Sequence, residues 1–209
     1  WEKAKSLISR NASPDIPFDQ SINPFRGCEH GCIYCYARPA HAYVDLSPGL
    51  DFESRLFAKA DAAALLHKEL AAPGYQCKVI SLGANTDAYQ PLERRLRVTR
   101  AILEVLAAAN HPLTIVTKSA LVERDLDLLG PMGQRGLAQV FVSVTTQDVG
   151  LARLMEPRAS APRRRLQAIA TLAEAGVPTG VMFAPVIPAL NDHEMESVLA
   201  AAAAAGAQY

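Results

Sequence analysis

The chain has 209 residues, 50% apolar and 20% charged, with Lys+Arg and Asp+Glu equal at 21 each. That length suits one sizeable core or two small ones, and a formal net charge of zero gives no overall field to draw the molecule onto nucleic acid or an anionic membrane. No apolar run is long enough to span a bilayer, the alanine stretch at 200–205 included.

Residues 1–20 read as irregular, because Pro14 and Pro17 break any helix. From there on, short apolar runs alternate with helical patterns. Strands are expected at 21–25, 77–82, 113–117, 139–144 and 178–184, and helices at 54–71, 92–109, 120–129, 162–175 and 191–205. Leu92, Leu96, Ile102, Leu103 and Leu106 recur at helical spacing, and Gly176 stops the fourth helix. Five βα units in a row mean a parallel sheet. The expected fold is therefore α/β, a partial (β/α)6 TIM-like barrel over residues 21–209 that follows the irregular segment 1–20. Residues 207–209 are placed to open a sixth strand, and the last βα unit is expected outside this chain. A doubly wound sheet is the alternative, weakened because no G-x-G-x-x-G follows the first strand. The start at Trp1 and the stop at Tyr209, just past Gly206, read as a fragment.

Polar residues gather where the expected strands end. The first strand leads to Cys28, Cys32 and Cys35, the second to Asn85, Thr86 and Asp87, and the third to Lys118 and Ser119. The fourth carries Ser143 and leads to Thr145 and Thr146, and the fifth leads to Asn191 and Asp192. The C-terminal ends of the strands are the face on which barrel enzymes build their sites. Any one group is ordinary loop polarity, but five in succession point to a site.

The stretch CEHGCIYCYARP places three of the four cysteines within eight residues, as C-x3-C-x2-C. Three thiols cannot all pair as disulfides, and a structural zinc site wants four ligands. Three thiolates can hold three corners of an iron–sulfur cube and leave the fourth iron open. Clustered thiols with no secretory signal also point to a reducing cytoplasm. The competing reading is zinc completed by His30, His41 or Cys77 in a non-catalytic binding module, although zinc sites normally show paired knuckles.

The cysteine motif, with Tyr34 directly before its last cysteine, resembles the radical SAM superfamily signature. Together with "TDAYQPLERR", "TKSALVERDLDLL", "VSVTTQD" and "EPRASAPRRRLQAIATLAEAGVPTGVMFAPVIPALND", it is similar to bacterial radical SAM proteins grouped with spore photoproduct lyase-like enzymes. The resemblance covers residues 20–209. It implies a partial barrel with a [4Fe-4S] cluster on Cys28, Cys32 and Cys35, and S-adenosylmethionine (SAM) chelated to the open iron. Reductive cleavage of SAM would give methionine and a 5′-deoxyadenosyl radical that takes hydrogen from an unknown substrate. The electron would come from a reducing donor such as flavodoxin or ferredoxin. By position, Tyr34 would line the adenine pocket, Lys118 would pair with the SAM carboxylate, Ser143 would contact the ribose, and Val186 and Ile187 would form the apolar adenine wall. Asn85 and Asp87 stand where many members receive the SAM amine, although the usual G-G-E is absent. Ala189 stands where a glycine is common.

Among the other candidates, Cys77 reads as a small buried hydrophobe opening the second strand, and His30 as a shield of the cluster. Tyr36 and Tyr89 read as packing aromatics. Arg94, Arg95, Arg97 and Arg100, and Arg153, Arg158, Arg163, Arg164 and Arg165, read mainly as solvated helix faces. Arg165 is set apart as a contact to SAM or substrate. A lesion-repair lyase acting on nucleic acid remains the alternative within the family, and it is not favoured at zero net charge.

Overall fold

A computed structural model describes residues 1–209. Six strands form one open sheet: β1 (Ser9–Arg10), β2 (Gln20–Ile22), β5 (Ile80–Leu82), β6 (Leu113–Thr117), β7 (Ala138–Ser143) and β8 (Thr179–Met182). They lie in that order, β1 antiparallel to β2 and every later pair parallel. The ladder pairs Ile22 with Leu82, Ile80 with Leu113, Ile115 with Val140 and Val142 with Val181. A separate two-stranded ribbon joins β3 (Phe25–Arg26) to β4 (Phe57–Ala58). The expected α/β partial barrel is what forms. Gln208 N also donates to Thr179 O and Val181 N to Tyr209 O, so the chain already pairs with β8 at its open edge.

Helices cover the sheet: α1 (Asp51–Ser54), α2 (Ala62–Leu70), α3 (Glu93–Leu96), α4 (Val98–Ala108), α5 (Leu126–Gln134), α6 (Val149–Met155), α7 (Pro162–Glu174) and α8 (Met195–Ala204). Ile102, Leu103 and Leu106 of α4, and Ala168, Ile169 and Leu172 of α7, are fully buried together with Ile80, Leu82, Ile115, Val140 and Val142. Burying each of the Val, Leu and Ile side chains is worth about 1.5–3 kcal/mol, which outweighs the modest propensities of strands only two to six residues long. Leu7 and Ile8, ahead of β1, join the same core.

Several element boundaries differ from expectation. The first strand stops at Ile22, since Pro24 has no N–H for the ladder. The expected helix 54–71 is interrupted because Phe57 and Ala58 pair with the ribbon. The helix 92–109 breaks at Arg97, which sits at φ 55. The helices expected from 120 and 191 each begin with a 3-10 segment, Ala120–Asp125 and Asp192–Glu194. The second strand begins at Ile80, not at 77. Cys77 is accordingly exposed, contrary to the expected buried hydrophobe, because the sheet edge ends before it. The composition gave no strong sign of α6. Its start is nevertheless marked by Asp148, whose Oδ1 accepts from Leu151 N at 2.9 Å as an N-cap.

Candidate active site

The three cysteines lie in the loop between β3 and the 3-10 segment Arg38–Val44, at the C-terminal edge of the sheet. All three are free thiols. The loop is tight. Gly27 has φ 77, and a Cβ there would come within 2.7 Å of Phe52 O and of Leu56 Cδ2, so only glycine fits directly before Cys28. Cys28 N donates to Phe52 O at 2.9 Å. The buried amide of Gln90 brackets Cys28 from both sides, accepting from Glu29 N at 2.9 Å and donating to Gly27 O at 3.0 Å. Arg38 reaches Cys32 O through Nε and Nη2 at 3.1 and 3.0 Å. Arg158 donates to Glu29 O, and Glu53 binds both guanidiniums.

Behind the loop stands His30, 2% exposed, with Nδ1 3.3 Å from Asp87 Oδ2. Burial opposes its charge, but the Asp87 carboxylate and the Cys28 sulfur outweigh that and raise its pKa to about 10. Asp87 is likewise disfavoured by burial, yet His30 and its hydrogen bonds hold it at about 2. It accepts from Thr117 Oγ1 and Lys118 N at 2.7 Å each, and from Tyr89 N at 2.8 Å. Burial pushes the Cys32 thiol up to about 12 and raises Cys35 as well. A metal taken up at these thiols would release their protons.

Lys118 follows β6 and its Nζ lies 5.8 Å from the centroid of the Tyr34 ring. The Tyr34 hydroxyl donates to Glu156, which also accepts from Thr145 Oγ1 at 2.7 Å and from Arg165. Burial works against the Glu156 charge, but Arg165 and Lys118 keep its carboxyl below the usual range. Burial and the Glu156 charge raise the Tyr34 phenol.

Of the residues expected from the sequence, Cys28, Cys32, Cys35, Tyr34 and Lys118 come together at one strand-end face. Asn85 is exposed on the turn after β5, its N–H held by Asn23 Oδ1 at 2.8 Å. Asp87 lies inward, with both carboxylate oxygens engaged. Ser143 ends β7 at 2% exposure, and its carbonyl accepts from Arg165 Nη1 at 3.0 Å. Arg165 is 1% exposed, and its donors go to Ser143 O, Ser160 O and Glu156. Val186 and Ile187 follow β8 in a loop fixed by buried Asn191. Its Oδ1 accepts from Ile187 N at 2.7 Å and its Nδ2 donates to Thr145 O at 2.8 Å. Ala189 has φ 62, the left-handed region that favours the glycine expected there. Tyr36 is 74% exposed with its hydroxyl on Ala84 O, so it is not a packing residue, whereas Tyr89 is fully buried on Asp125. Sequence reasoning missed Gln90, Glu53 and the role of Glu156. The only local signal for Glu156 was a carboxylate standing alone among arginines.

The donor set fits a cluster better than a single ion. Three free cysteines in one short loop match the thiolate ligation of an iron–sulfur cluster. His30 is committed to Asp87, His41 Nε2 lies 2.9 Å from Arg55 O, and Cys77 is at the opposite end of the sheet.

Comparison with known proteins agrees. Residues 22–202 match the Radical SAM superfamily. An uncharacterised protein of Mycobacterium tuberculosis is 40% identical over 194 residues, covering 92% of this chain and 57% of its own length. One from Methanocaldococcus jannaschii is 30% identical over 193 residues, 92% of this chain and 69% of its own. The chain thus spans little more than half the length of its mycobacterial relatives. Among solved structures, a spore photoproduct lyase variant with dinucleoside spore photoproduct superposes with a TM-score of 0.69. It is 20% identical, over 95% of this chain and 55% of that one. Another variant, with bound AdoMet and the same dinucleoside, gives 0.61 at 20% identity over 87% and 49%. No helix of the chain is long and apolar enough to cross a membrane. With the cysteine loop, the open parallel sheet and the match over most of its length, the chain belongs to the radical SAM superfamily, enzymes that work with a [4Fe-4S] cluster and S-adenosylmethionine.

Proposed function

We propose that residues 21–209 form the SAM-activating core of a radical SAM enzyme, in which Cys28, Cys32 and Cys35 hold three corners of the cluster. The observation that carries this reading is three free thiols in one glycine-shaped loop at the C-terminal edge of a parallel sheet, with Lys118 at the same edge. A [4Fe-4S] cluster held by these three cysteines would, with an electron from an external reductant, supply the one-electron cleavage of SAM to methionine and a hydrogen-abstracting radical that is generic to the superfamily. The chain's own residues bind and orient. In this reading the Lys118 ammonium meets the SAM carboxylate, the exposed turn at Asn85 offers polar contacts to the amine, and Val186 and Ile187 offer an apolar edge to adenine. Ser143 closes the ribose side. An electron donor such as flavodoxin or ferredoxin would approach the loop at Ile33, which is 66% exposed. Asp87 and Arg165 act behind this surface as supports.

The substrate is left at the level of a hydrogen donor. Lesion repair would borrow the substrate of spore photoproduct lyase, and no surface of this chain favours it. Anaerobic reconstitution, reduction with dithionite in the presence of SAM, and analysis for 5′-deoxyadenosine test the proposal. Cys28→Ser, Cys32→Ser and Cys35→Ser should each lose iron and product, and Cys77→Ser should keep both. Equal loss in the Cys77 variant, or stoichiometric zinc without iron in the parent, would sink it.

A further inference from the structure

The stretch from Met155 to Ser160 is tied to the cysteine loop along its length. Ile33 N donates to Met155 O at 3.0 Å, Arg158 N to His30 O at 3.2 Å, and the Arg158 guanidinium to Glu29 O. Its far end holds the turn that carries Lys118. Ser160 N donates to Lys118 O at 3.2 Å, and Ser160 Oγ accepts from Ala120 N at 2.9 Å. Most of these ties involve main-chain atoms and constrain only the path of the loop. Glu156 is different: its carboxylate grips a loop side chain, Tyr34, between two of the three cysteines.

Glu156 is 3% exposed and Arg165 1%. A buried ion pair is poor value as a stabiliser, because desolvating two charges costs about as much as their attraction returns, and apolar side chains fill the same space as well. An apolar pair cannot aim a hydrogen bond at a phenol. Every oxygen of Glu156 has a donor: Tyr34 and Thr145 on Oε1, Arg165 on Oε2. The three partners come from three separate elements, so the carboxylate is fixed in direction.

We propose that Glu156 is a positioning residue for the iron–sulfur centre: paired with Arg165 and Thr145, it anchors Tyr34 and thereby sets the Cys32–Cys35 half of the loop. The inference rests on the assignment of the three cysteines to the cluster. It carries two consequences. Partners bonded directly to a metal ligand change metal affinity roughly 10–100-fold; Glu156 acts one step further out, through the side chain between Cys32 and Cys35, so freeing Tyr34 should loosen the cluster toward the lower end of that range. Glu156 also places a negative charge beside the loop. Neutralising it leaves Arg165 uncompensated, so the cluster holds an added electron better and its reduction potential rises.

The test uses the anaerobically reconstituted protein and three variants, each first shown by thermal unfolding to be folded without metal. Tyr34→Phe removes only the phenolic oxygen, Glu156→Gln removes the charge, and Arg164→Ala removes a surface pair with Glu123 as a control. Tyr34→Phe and Glu156→Gln should lose iron to a chelator roughly tenfold faster than the parent or more, with a changed EPR spectrum of the reduced cluster. Arg164→Ala should match the parent. Glu156→Gln should also shift the reduction potential upward relative to Tyr34→Phe, which frees the same loop side chain but keeps the Glu156 charge. If Glu156→Gln fails to fold, Tyr34→Phe decides. Parent-like iron release and an unchanged spectrum from folded Tyr34→Phe overturn the inference while leaving the cluster assignment standing. A parent that takes up no iron overturns both.

Discussion

Lys118 and Asp87 meet at the end of β6 and differ in what is left for a ligand. Both oxygens of Asp87 are satisfied from within the chain, by Thr117, Lys118 N, Tyr89 N and His30. The Lys118 ammonium lies over the Tyr34 ring, with the Glu156 charge nearby, and makes no hydrogen bond or ion pair of its own. Lys118→Ala should therefore weaken SAM binding where Lys78→Ala does not, since Lys78 pairs with Asp19 on another part of the surface. A charge-assisted contact is worth about 1.5–3 kcal/mol, roughly a tenfold to hundredfold loss of affinity, and isothermal titration of the reconstituted proteins measures it. Equal affinities would remove Lys118 from the site. Asp87 should show itself in stability instead. Its pKa is about 2 in the folded chain against an ordinary 3.8, so its contribution is complete above the unfolded value and disappears as pH falls through the folded one. Denaturant midpoints of the metal-free protein should drop between pH 4 and pH 2, and Asp87→Asn should flatten that drop while lowering stability at neutral pH. The cysteines were legible in the sequence because their spacing is local. Gln90 and Glu156 were not, because they reach the loop across 61 and 122 residues of chain.

At the scale of elements, periodicity predicted the five parallel strands and most of the helices, since apolar spacing is a local property of the chain. Breaks imposed by backbone conformation went unread. Arg97 lies inside an unbroken helical pattern, yet its φ of 55 ends α3 and starts α4 in a new direction. The kink lets Glu93 turn back and accept from Thr99 N at 2.9 Å and Arg100 N at 3.2 Å. Glu93 thereby caps α4, a buried carboxylate at a helix N-terminus. An L residue in this region costs roughly 1–2 kcal/mol, and glycine elsewhere in a helix costs about 0.5–1 kcal/mol in entropy. Arg97→Gly should then stabilise the protein slightly, by about 0.5–1 kcal/mol, visible as a raised denaturant midpoint with an unchanged slope. A clear loss of stability would mean that the Arg97 side chain matters more than its backbone. The ribbon of β3 and β4 escaped notice for a related reason: a two-residue strand has no period, and only its partner across the chain defines it.

Across the whole molecule, the arginine-rich stretches that stand out in the sequence are largely neutralised in space. Arg100 binds Glu104, Asp125 and Asp127; Arg124 binds Glu93 and Asp125; Arg158, Arg164 and Arg165 bind Glu53, Glu123 and Glu156. Some of these carboxylates are local (Glu104, Asp125 beside Arg124, Glu156), but Glu53, Glu93, Glu123 and Asp127 come from 27 or more residues away, so local charge runs overstated the positive surface. Arg94, Arg95, Arg97, Arg153 and Arg163 remain exposed. They stand on α3, its junction with α4, α6 and α7, with no aromatic side chains interleaved to stack bases. Each phosphate neutralised contributes about 0.9 to the slope of log affinity against log salt, so even full engagement of the exposed arginines would leave binding weak near physiological salt. Duplex and single-stranded DNA should accordingly bind weakly at low salt and be nearly released at 150 mM, the order of physiological ionic strength. The triple reversal Arg94→Glu, Arg95→Glu and Arg97→Glu should leave SAM cleavage unchanged, because those side chains touch none of the cysteine loop's partners. Fluorescence anisotropy across a salt series reads the binding, and 5′-deoxyadenosine yield reads the cleavage. Tight binding to a damaged duplex that survives physiological salt and is abolished by the triple reversal would overturn this expectation. It would make nucleic acid the substrate class to pursue first.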